Sequence, residues 1–483
     1  EIIKCDWSSD VCSSDLSGRG LADVRRSGAW HGSARVDGIG LSTWLVAGAA
    51  RSATGADLSH SVRAMLWTVS RTVGAKLYSL LVGVLTLTVT ARWLGPEGRG
   101  EFAAAMAWVT AFVSISHCSL AEVASQRLAG QAHGQRFNQV ALALATAAIG
   151  VSILAYAALI GLFLLRPTMF GTLSPWLLLC AFIGLPWMIW EIYGTALLII
   201  CERIMLANIG LVLGRTVSIL LVLLAVGALG WGVSGALLAS VLGQMLVAAM
   251  PAWMVWRNWH ASHGPVALKQ ELAGLFSGGV RLHLNAIGSM LMGSTSVIIL
   301  NAKLGTAATG QFQMAQQLVT ILLVLAQATT QMLYGRLGAV GVQGAWRLQR
   351  RLVPALSLLT LLAGGVAGAL APWWLPWVAG AGFADAVPLF QWLVPGLAVS
   401  AFSTLMAPQW IGRGLFLTAS LCSLSAGGIN LLAAWWWVPR MGVMGAVYAQ
   451  WSALSLALVT NLVLFWVCER DPRRRNPEAG GVS

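Results

Sequence analysis

Charged side chains are scarce in the apolar stretches of this chain, and these few are its first candidates for chemistry. Arg215 and Glu191 lie inside stretches of about 20 apolar residues, and Lys76 lies near the start of another. A charge near the middle of a bilayer costs roughly 2.5–3.5 kcal/mol on insertion scales unless it faces other helices or water. The planar guanidinium of arginine binds paired anion oxygens. Glu191 suits either ion coupling or a structural pair with Arg215.

Mostly polar residues, with a few small ones, form stripes along the same stretches. They recur at intervals of three, four or seven residues, which places them on one face of a helix. The stripes are Thr72, Lys76, Ser79, Gly83, Thr86 and Thr90; then Thr110, Ser114, His117 and Ala121; then Gln313, Gln317, Thr320, Gln327 and Gln331. In lipid, such faces must either contact other helices or line a polar cavity.

The elements that carry these residues are expected to be membrane-spanning helices. The chain is 57% hydrophobic and only 10% charged, far from the balance of a soluble globular protein. Twelve apolar helices are predicted, at approximately 72–91, 102–122, 140–164, 175–199, 207–228, 233–255, 283–301, 312–334, 352–371, 387–409, 415–437 and 443–467. Most Lys and Arg between the spans lie in loops on the side of the N-terminus, which predicts that both termini are cytoplasmic.

The chain also repeats itself at a spacing of 210 residues. Leu94–Thr110 (LGPEGRGEFAAAMAWVT) and Leu304–Thr320 (LGTAATGQFQMAQQLVT) share 7 of 17 positions without a gap. Six spans per repeat is an even number, so the two halves are expected to be parallel and related by a pseudo-two-fold axis along the membrane normal. The predicted organisation is an N-terminal lobe at 65–260, a C-terminal lobe at 261–475 and a tail at 476–483. The glycine-rich LGPEGRG segment is expected to be a tight turn rather than a phosphate loop, because no strand precedes it.

Several classes of protein and site are excluded by pattern. Residues 1–64 are expected to be a disordered artefact, because residues 6–16 (DWSSDVCSSDL) resemble a translated sequencing adapter and the first methionine is Met65.

The cysteines are scattered without a CxxC pair or a His/Cys cluster, so neither a disulfide framework nor a metal site is expected. No cofactor is expected either. The net charge of +13 lies in short gaps between apolar stretches, which is typical of membrane anchoring rather than of nucleic-acid binding.

Three segments resemble the signatures of Wzx-like lipid-linked oligosaccharide flippases of the polysaccharide transporter family. They are LGPEGRGEF after the first span, VAGAGFADAVPLFQWLVPG before the tenth and VPRMGVMGAVYAQ before the twelfth. The resemblance extends from Met65 to Phe465. The flippases that it points to belong to the same superfamily as multidrug extruders and lipid II flippases. It implies an all-α integral membrane protein whose two six-helix bundles form a V around a central cavity. It further implies that an undecaprenyl-diphosphate-linked oligosaccharide, such as an O-antigen or exopolysaccharide unit, crosses the bacterial inner membrane by alternating access.

The resemblance gives the polar residues expected roles. The cationic side chains expected to bind the diphosphate are Arg71, Arg281, Arg215 and Lys76. The neutral ones expected to bind the sugars are His117, Gln313, Gln317, Gln327 and Gln331. Arg71 and Arg281 are repeat mates at the inner ends of their spans, where interfacial anchoring is the alternative role, as snorkelling is for Lys76. Glu191 stays a candidate for ion coupling.

Two other functions compete with the flippase. A multidrug or cation antiporter of the same superfamily would use carboxylates in its lobes, and the first and seventh spans contain none. A glycan polymerase or ligase would need acid–base or metal-binding groups, usually on a sizeable outer loop, and the outer loops are short. The chain is therefore expected to be a transporter and not an enzyme. Its expected partners are the lipid-linked glycan, membrane lipids and a polysaccharide polymerase, with no nucleic acid.

Overall fold

The computed structural model describes residues 55–128, 135–259 and 268–470, and the regular structure within these ranges is entirely helical. The helices of the first half are α1 (Gly55–Ser116), α2 (Leu120–Arg127), α3 (Gln135–Leu165), α4 (Pro175–Phe182), α5 (Leu185–Ile200), α6 (Ile204–Val222) and α7 (Gly232–Trp259). Those of the second half are α8 (Leu268–Gly293), α9 (Thr295–Leu304), α10 (Thr306–Leu322), α11 (Val324–Ala379), α12 (Ala386–Leu393), α13 (Gly396–Gly412), α14 (Phe416–Met441) and α15 (Val443–Arg470). Short 3-10 turns at Pro167–Phe170 and Ala381–Phe383 and a π-helical turn at Leu223–Ala228 complete the set.

The backbone of residues 55–64 belongs to α1, although the sequence analysis placed it in the segment preceding the protein. Residues 1–54 and 471–483 lie outside the described ranges. The start near Met65 and the tail at 476–483 therefore stay predictions.

The number and length of the apolar helices are those of a multi-pass membrane protein. Within the described ranges, nine helical stretches are long and apolar enough to cross a membrane, and two bent pairs raise the number to eleven. One of the nine, Leu77–Arg127, has 51 residues, about 75 Å of helix against a hydrocarbon core of about 30 Å. Gly95 interrupts this stretch with non-helical φ and ψ angles. Division at Gly95 yields two spans and restores the twelve predicted from the sequence.

The internal repeat is visible in the backbone. Gly95 has φ 66° and ψ −175°, and its repeat mate Gly305 has φ 86° and ψ −174°. Gly232 and Gly442, at the starts of the last span of each half, have φ 57° and 63°. These left-handed angles favour glycine. The same turn thus recurs at the same place in each half, as the 210-residue spacing predicts.

The two halves share their packing. The buried cluster of the second half includes Leu87, Ala91, Ala103 and Ala107 from α1. In return, Leu275 from α8 is buried in the cluster of the first half. The start of each half therefore crosses over to the other, and this crossing positions the polar residues described next.

Candidate transport site between the two halves

The halves meet most closely where α1 crosses α10. Gly100 and Gly310 are repeat mates, and a Cβ atom added to Gly100 would collide with the carbonyl oxygen of Thr306. A Cβ atom added to Gly310 would collide with the carbonyl oxygen of Pro96. Backbone therefore touches backbone, and glycine is required at both positions. We call this side of the molecule the Gly95 end. The glycine-rich segment forms the expected turn at Gly95. It also forms a helix crossing that was not predicted from the sequence.

Arg99 is buried beside this crossing, with 2% of its surface exposed. Its Nη2 donates hydrogen bonds to Oε1 of Gln317 at 2.5 Å and to Oε1 of Gln313 at 3.3 Å. Its Nη1 donates to Oγ1 of Thr90 at 3.3 Å. The guanidinium carbon lies 5.1 Å from the centre of the Phe102 ring. Arg99 of the first half is thus held by two amides of the second.

All hydrogen-bond partners of Arg99 in the described part of the chain are neutral. The ion pairs found there join other residues, and Arg99 Nε has no hydrogen-bond partner in the same part. Buried arginines are usually paired with acids. A full positive charge therefore lies between the halves with capacity left for an anion.

The Arg99 side chain reaches along α10, away from the Gly95 end. Gln317 follows Gly305 by 12 residues, or about 18 Å along a helix, and the whole hydrocarbon core is about 30 Å thick. Arg99 is not among the predicted site residues, because it lies four residues after Gly95 in the segment expected to be a tight turn. Its glutamine partners come 214 and 218 positions later. The repeat mate of Arg99 is Thr309. This difference, a cation in one repeat and a neutral residue in the other, is the sequence signal that could have identified Arg99.

A second arginine joins the halves at the Gly95 end. Arg92 Nε donates a hydrogen bond to the carbonyl oxygen of Val378 at 3.0 Å, and its Nη2 donates to that of Trp377. These carbonyls lie in the last turn of α11, where helix geometry leaves them without backbone donors. Arg92 is exposed, so it caps α11 rather than forming part of the buried site.

The halves also touch at the opposite side, where α11 turns at Gly341, which we call the Gly341 end. Arg127 Nη1 of α2 forms an ion pair with Glu271 Oε2 of α8 at 3.0 Å. Gly278 and Gly279 of α8 face Val123 and the carbonyl oxygen of Cys118 without room for a side chain. Contacts between the halves therefore close both ends of the site.

His117 lies at this second contact and not in an open space. Its ring meets that of His283 edge-on, with centroids 5.1 Å apart. His117 Nδ1 accepts a hydrogen bond from the backbone N–H of Ser119 at 3.1 Å, and His283 Nε2 hydrogen-bonds to the Ile115 carbonyl oxygen at 2.9 Å. With 8% of its surface exposed, His117 reaches a sugar only after this contact opens. Its binding role stays a prediction.

The other predicted residues fall in different places. Gln327 and Gln331 are exposed on the first turns of α11. Arg215 is exposed on α6 and forms none of the ion pairs found among the described residues. Glu191 instead accepts a hydrogen bond from Nε2 of Gln244. The side chains of the remaining three predicted residues, which are Arg71, Lys76 and Arg281, lie outside the described set, although their backbone is helical.

Two six-span halves cross near a buried cation, and solved structures of membrane transporters share this fold. The lipid II flippase MurJ in its inward closed conformation has a TM-score of 0.62 at 12% identity, covering 81% of this chain and 86% of its own. An inward-facing multidrug resistance MATE transporter of the MOP superfamily has a TM-score of 0.60 at 16% identity, covering 82% and 96%. A MOP superfamily transporter from Pyrococcus furiosus has a TM-score of 0.55 at 16% identity, covering 84% and 96%.

Sequence comparison places the chain in a family. The profile of the polysaccharide biosynthesis protein family matches residues 67–336, which is more than half of the chain. The protein therefore belongs to the polysaccharide biosynthesis protein family. No curated protein sequence matches it. The resemblance seen in the sequence motifs is confirmed at the level of family and fold.

Proposed function

We propose that this protein is a flippase that carries a polyprenyl-diphosphate-linked oligosaccharide, of the O-antigen or exopolysaccharide type, across the bacterial inner membrane. Membership of a polysaccharide biosynthesis family and the fold shared with a lipid II flippase support the class of substrate. The observation that carries the proposal is the charge of Arg99, buried between the halves and bound to neutral amides. A diphosphate supplies the missing anion.

The Arg99 site suits exchange of partners during transport. Phosphate oxygens are stronger acceptors for a guanidinium than the amide oxygens of Gln313 and Gln317, because both partners are then charged. The amides released in this exchange can donate and accept hydrogen bonds with sugar hydroxyls. Binding of the diphosphate therefore weakens the contact that closes the Gly95 end. In this scheme the Gly95 end faces outward and both termini are cytoplasmic.

The other predicted residues take supporting roles in this scheme. Opening of the Gly341 end admits the substrate past Arg71 and Arg281, and opening of the Gly95 end releases it. Arg215 and Lys76 add positive charge along the path, and the exposed Gln327 and Gln331 offer hydrogen bonds to the sugars. A polysaccharide polymerase is the partner that would use the exported unit, and the protein itself catalyses no bond change.

The antiporter alternative has less support from the Arg99 site. An antiporter of cations exchanges protons or sodium on carboxylates, whereas this site holds a cation of its own. An uncompensated positive charge between the lobes repels cationic substrates and attracts anionic ones.

The test is export of surface glycan from a strain whose own flippases are deleted. Arg99→Gln removes the charge but keeps a polar side chain, and it is expected to lower export by about tenfold or more, since each 1.4 kcal/mol is a factor of ten. Arg440→Gln is the matched control. Arg440 is exposed, stacks on Trp436 near the Gly95 end and is expected to be dispensable for export.

Protein levels in the membrane must be equal for this comparison. Full export by Arg99→Gln would overturn diphosphate binding at this site. Drug resistance conferred by the wild-type chain, without glycan export, would favour the antiporter.

A further inference from the structure

The connection within α11 forms a second cationic site, separate from Arg99. Gly341 has φ 69° and ψ 179° and interrupts the helix. In a straight helix, Arg336 and Arg351 would lie about 22 Å apart. The turn at Gly341 instead brings both into the lining of one cavity.

This cavity, which we call the Gly341 pocket, has a volume of about 450 Å³. Four arginines line it together with two aliphatic residues and a glycine: Arg336, Arg347, Arg350, Arg351, Val340, Leu348 and Gly344. These four are all the Lys and Arg residues between Tyr334 and Leu352. The preference for basic residues on the cytoplasmic side accounts for their number. It does not account for their convergence on a single concave surface.

Among the described residues, none of the four pocket arginines forms an ion pair with an acid. The sequence of α11 contains no Asp or Glu, and the ion pairs found in the described ranges involve Arg127 with Glu271 and Arg413 with Glu469. Four like charges around one cavity repel one another. An anion with several oxygens would remove this repulsion through the paired hydrogen bonds that guanidinium groups form.

The helix that carries the pocket is held in place by its other face. Trp346 stacks on Phe465 of α15, with ring centroids 5.6 Å apart. Gln349 is fully buried and donates a hydrogen bond through Nε2 to the Leu405 carbonyl oxygen at 2.5 Å. With these two side chains turned inward, Arg347 and Arg351 project from the opposite side of the helix.

The depth of the pocket matches lipid phosphates. The stretch Val340–Ala379 has 40 residues, about 60 Å of helix, and about 20 residues suffice to cross the hydrocarbon core. The first turns of this stretch therefore extend past the core into the headgroup layer. Val340 and Leu348 add an apolar wall, which fits the glycerol and upper acyl carbons of a lipid and has no use for a free phosphate ion.

We propose that the Gly341 pocket binds the headgroup of an anionic phospholipid from the surrounding leaflet, with the guanidinium groups on phosphate oxygens and the aliphatic wall on the glycerol carbons. The four arginines favour a headgroup with two phosphates over one with a single phosphate. This site lies apart from Arg99, and its test does not depend on transport.

The experiment is native mass spectrometry of the full chain, purified in detergent and mixed with one lipid at a time. The lipids are cardiolipin, phosphatidylglycerol and phosphatidylcholine. Wild type is expected to retain cardiolipin best and phosphatidylcholine least. Arg347→Gln/Arg350→Gln/Arg351→Gln is expected to lower cardiolipin retention by about tenfold or more, because several charged hydrogen bonds are lost together.

The matched control is Arg136→Gln/Arg203→Gln/Arg257→Gln, which removes three exposed arginines from the same side of the protein. It is expected to retain cardiolipin within about twofold of wild type, since exposed charges outside the pocket contribute little. Equal losses in both triple variants would show attraction by overall charge and overturn the proposal, as would unchanged retention in the pocket variant.

A second variant tests the shape of the pocket without changing its charge. Gly344 lines the cavity, and a Cβ atom added to it would lie 2.8 Å from side-chain atoms of Val340. Gly344→Leu is expected to fill the pocket and lower cardiolipin retention, with size-exclusion chromatography confirming a folded protein. Inorganic pyrophosphate can also be added to displace bound cardiolipin. If pyrophosphate displaces it as effectively as unlabelled cardiolipin does, the pocket is a free-phosphate site and the lipid assignment is overturned.

Discussion

The substitution Gln317→Leu tests whether Arg99 holds the two halves together at the Gly95 end. Leucine keeps much of the bulk of glutamine but removes the acceptor of the 2.5 Å hydrogen bond from Arg99 Nη2. The 3.3 Å bonds to Gln313 and Thr90 remain. A hydrogen bond to a charged group contributes about 1.5–3 kcal/mol. Its loss should therefore shift the balance between closed and open Gly95 ends by roughly ten- to a hundredfold.

The assay is labelling of a buried thiol at the same contact. Thr309 is fully buried in α10 and is similar in size to cysteine, so Thr309→Cys in a cysteine-free background reports opening. A membrane-impermeant maleimide is added from the outer side. The labelling rate should rise by about tenfold or more when Gln317→Leu is added, because labelling follows the open fraction when opening is rapid.

The control is the neighbouring residue on the same helix. Gln316 is half-buried in α10 and is not a hydrogen-bond partner of Arg99, so Gln316→Leu should leave labelling within about twofold of the parent, as substitutions away from specific contacts usually do. An unchanged rate in Gln317→Leu, or the same increase in both variants, would refute the role of Arg99 in closing this end.

Three further predictions concern two contacts between the halves and the carboxylate of Glu191 in the first half. Gly100→Ala is expected to abolish export, because the new methyl group would meet a backbone carbonyl of the other half, whereas Gly83→Ala points into open space and should be tolerated; export at equal membrane levels decides. Arg127→Ala should raise the labelling rate of a cysteine introduced at the Gly341 end by less than about fivefold, since a partly exposed ion pair contributes about 1 kcal/mol or less. The exchanged pair Arg127→Glu/Glu271→Arg should restore the parent rate. Glu191→Gln should leave export and its dependence on the proton gradient unchanged, because glutamine keeps an acceptor for the amide that Glu191 binds; loss of gradient dependence would show that Glu191 couples transport to an ion.

The spans and the repeat could be predicted because their signals are local or periodic. Apolar length marks a span wherever it occurs, and the mates Gly95 and Gly305 follow from a gapless alignment of the chain with itself. The break of α1 after Ser116 had no such signal. Two consecutive residues with left-handed backbone, Cys118 and Ser119 at φ 49° and 51°, are not glycines, and only their tertiary contacts hold them there.

The candidate site was less predictable because its bonds join distant parts of the sequence. The stripe containing Gln313 and Gln317 was identified by period, but its partner was expected to be a sugar and is Arg99 in this structure. A periodic pattern shows which residues share a face and does not show what that face contacts. The Gly341 pocket was unpredictable for the same reason. Arg336 and Arg351 lie on opposite sides of a turn, and the sequence does not show how that turn brings them together.

The crossing of Gly100 and Gly310 bears on how a two-lobe protein of this kind arises. Each glycine packs against the repeat mate of the residue that the other one meets: Gly100 against Thr306, and Gly310 against Pro96. Reciprocity of this sort is the mark of an isologous interface between two copies of one chain. In a homodimer of identical halves, an arginine at the position of Arg99 would have placed two buried cations side by side. Fusion of the halves into one gene lets them diverge, so that a single cation can lie there with Thr309 opposite.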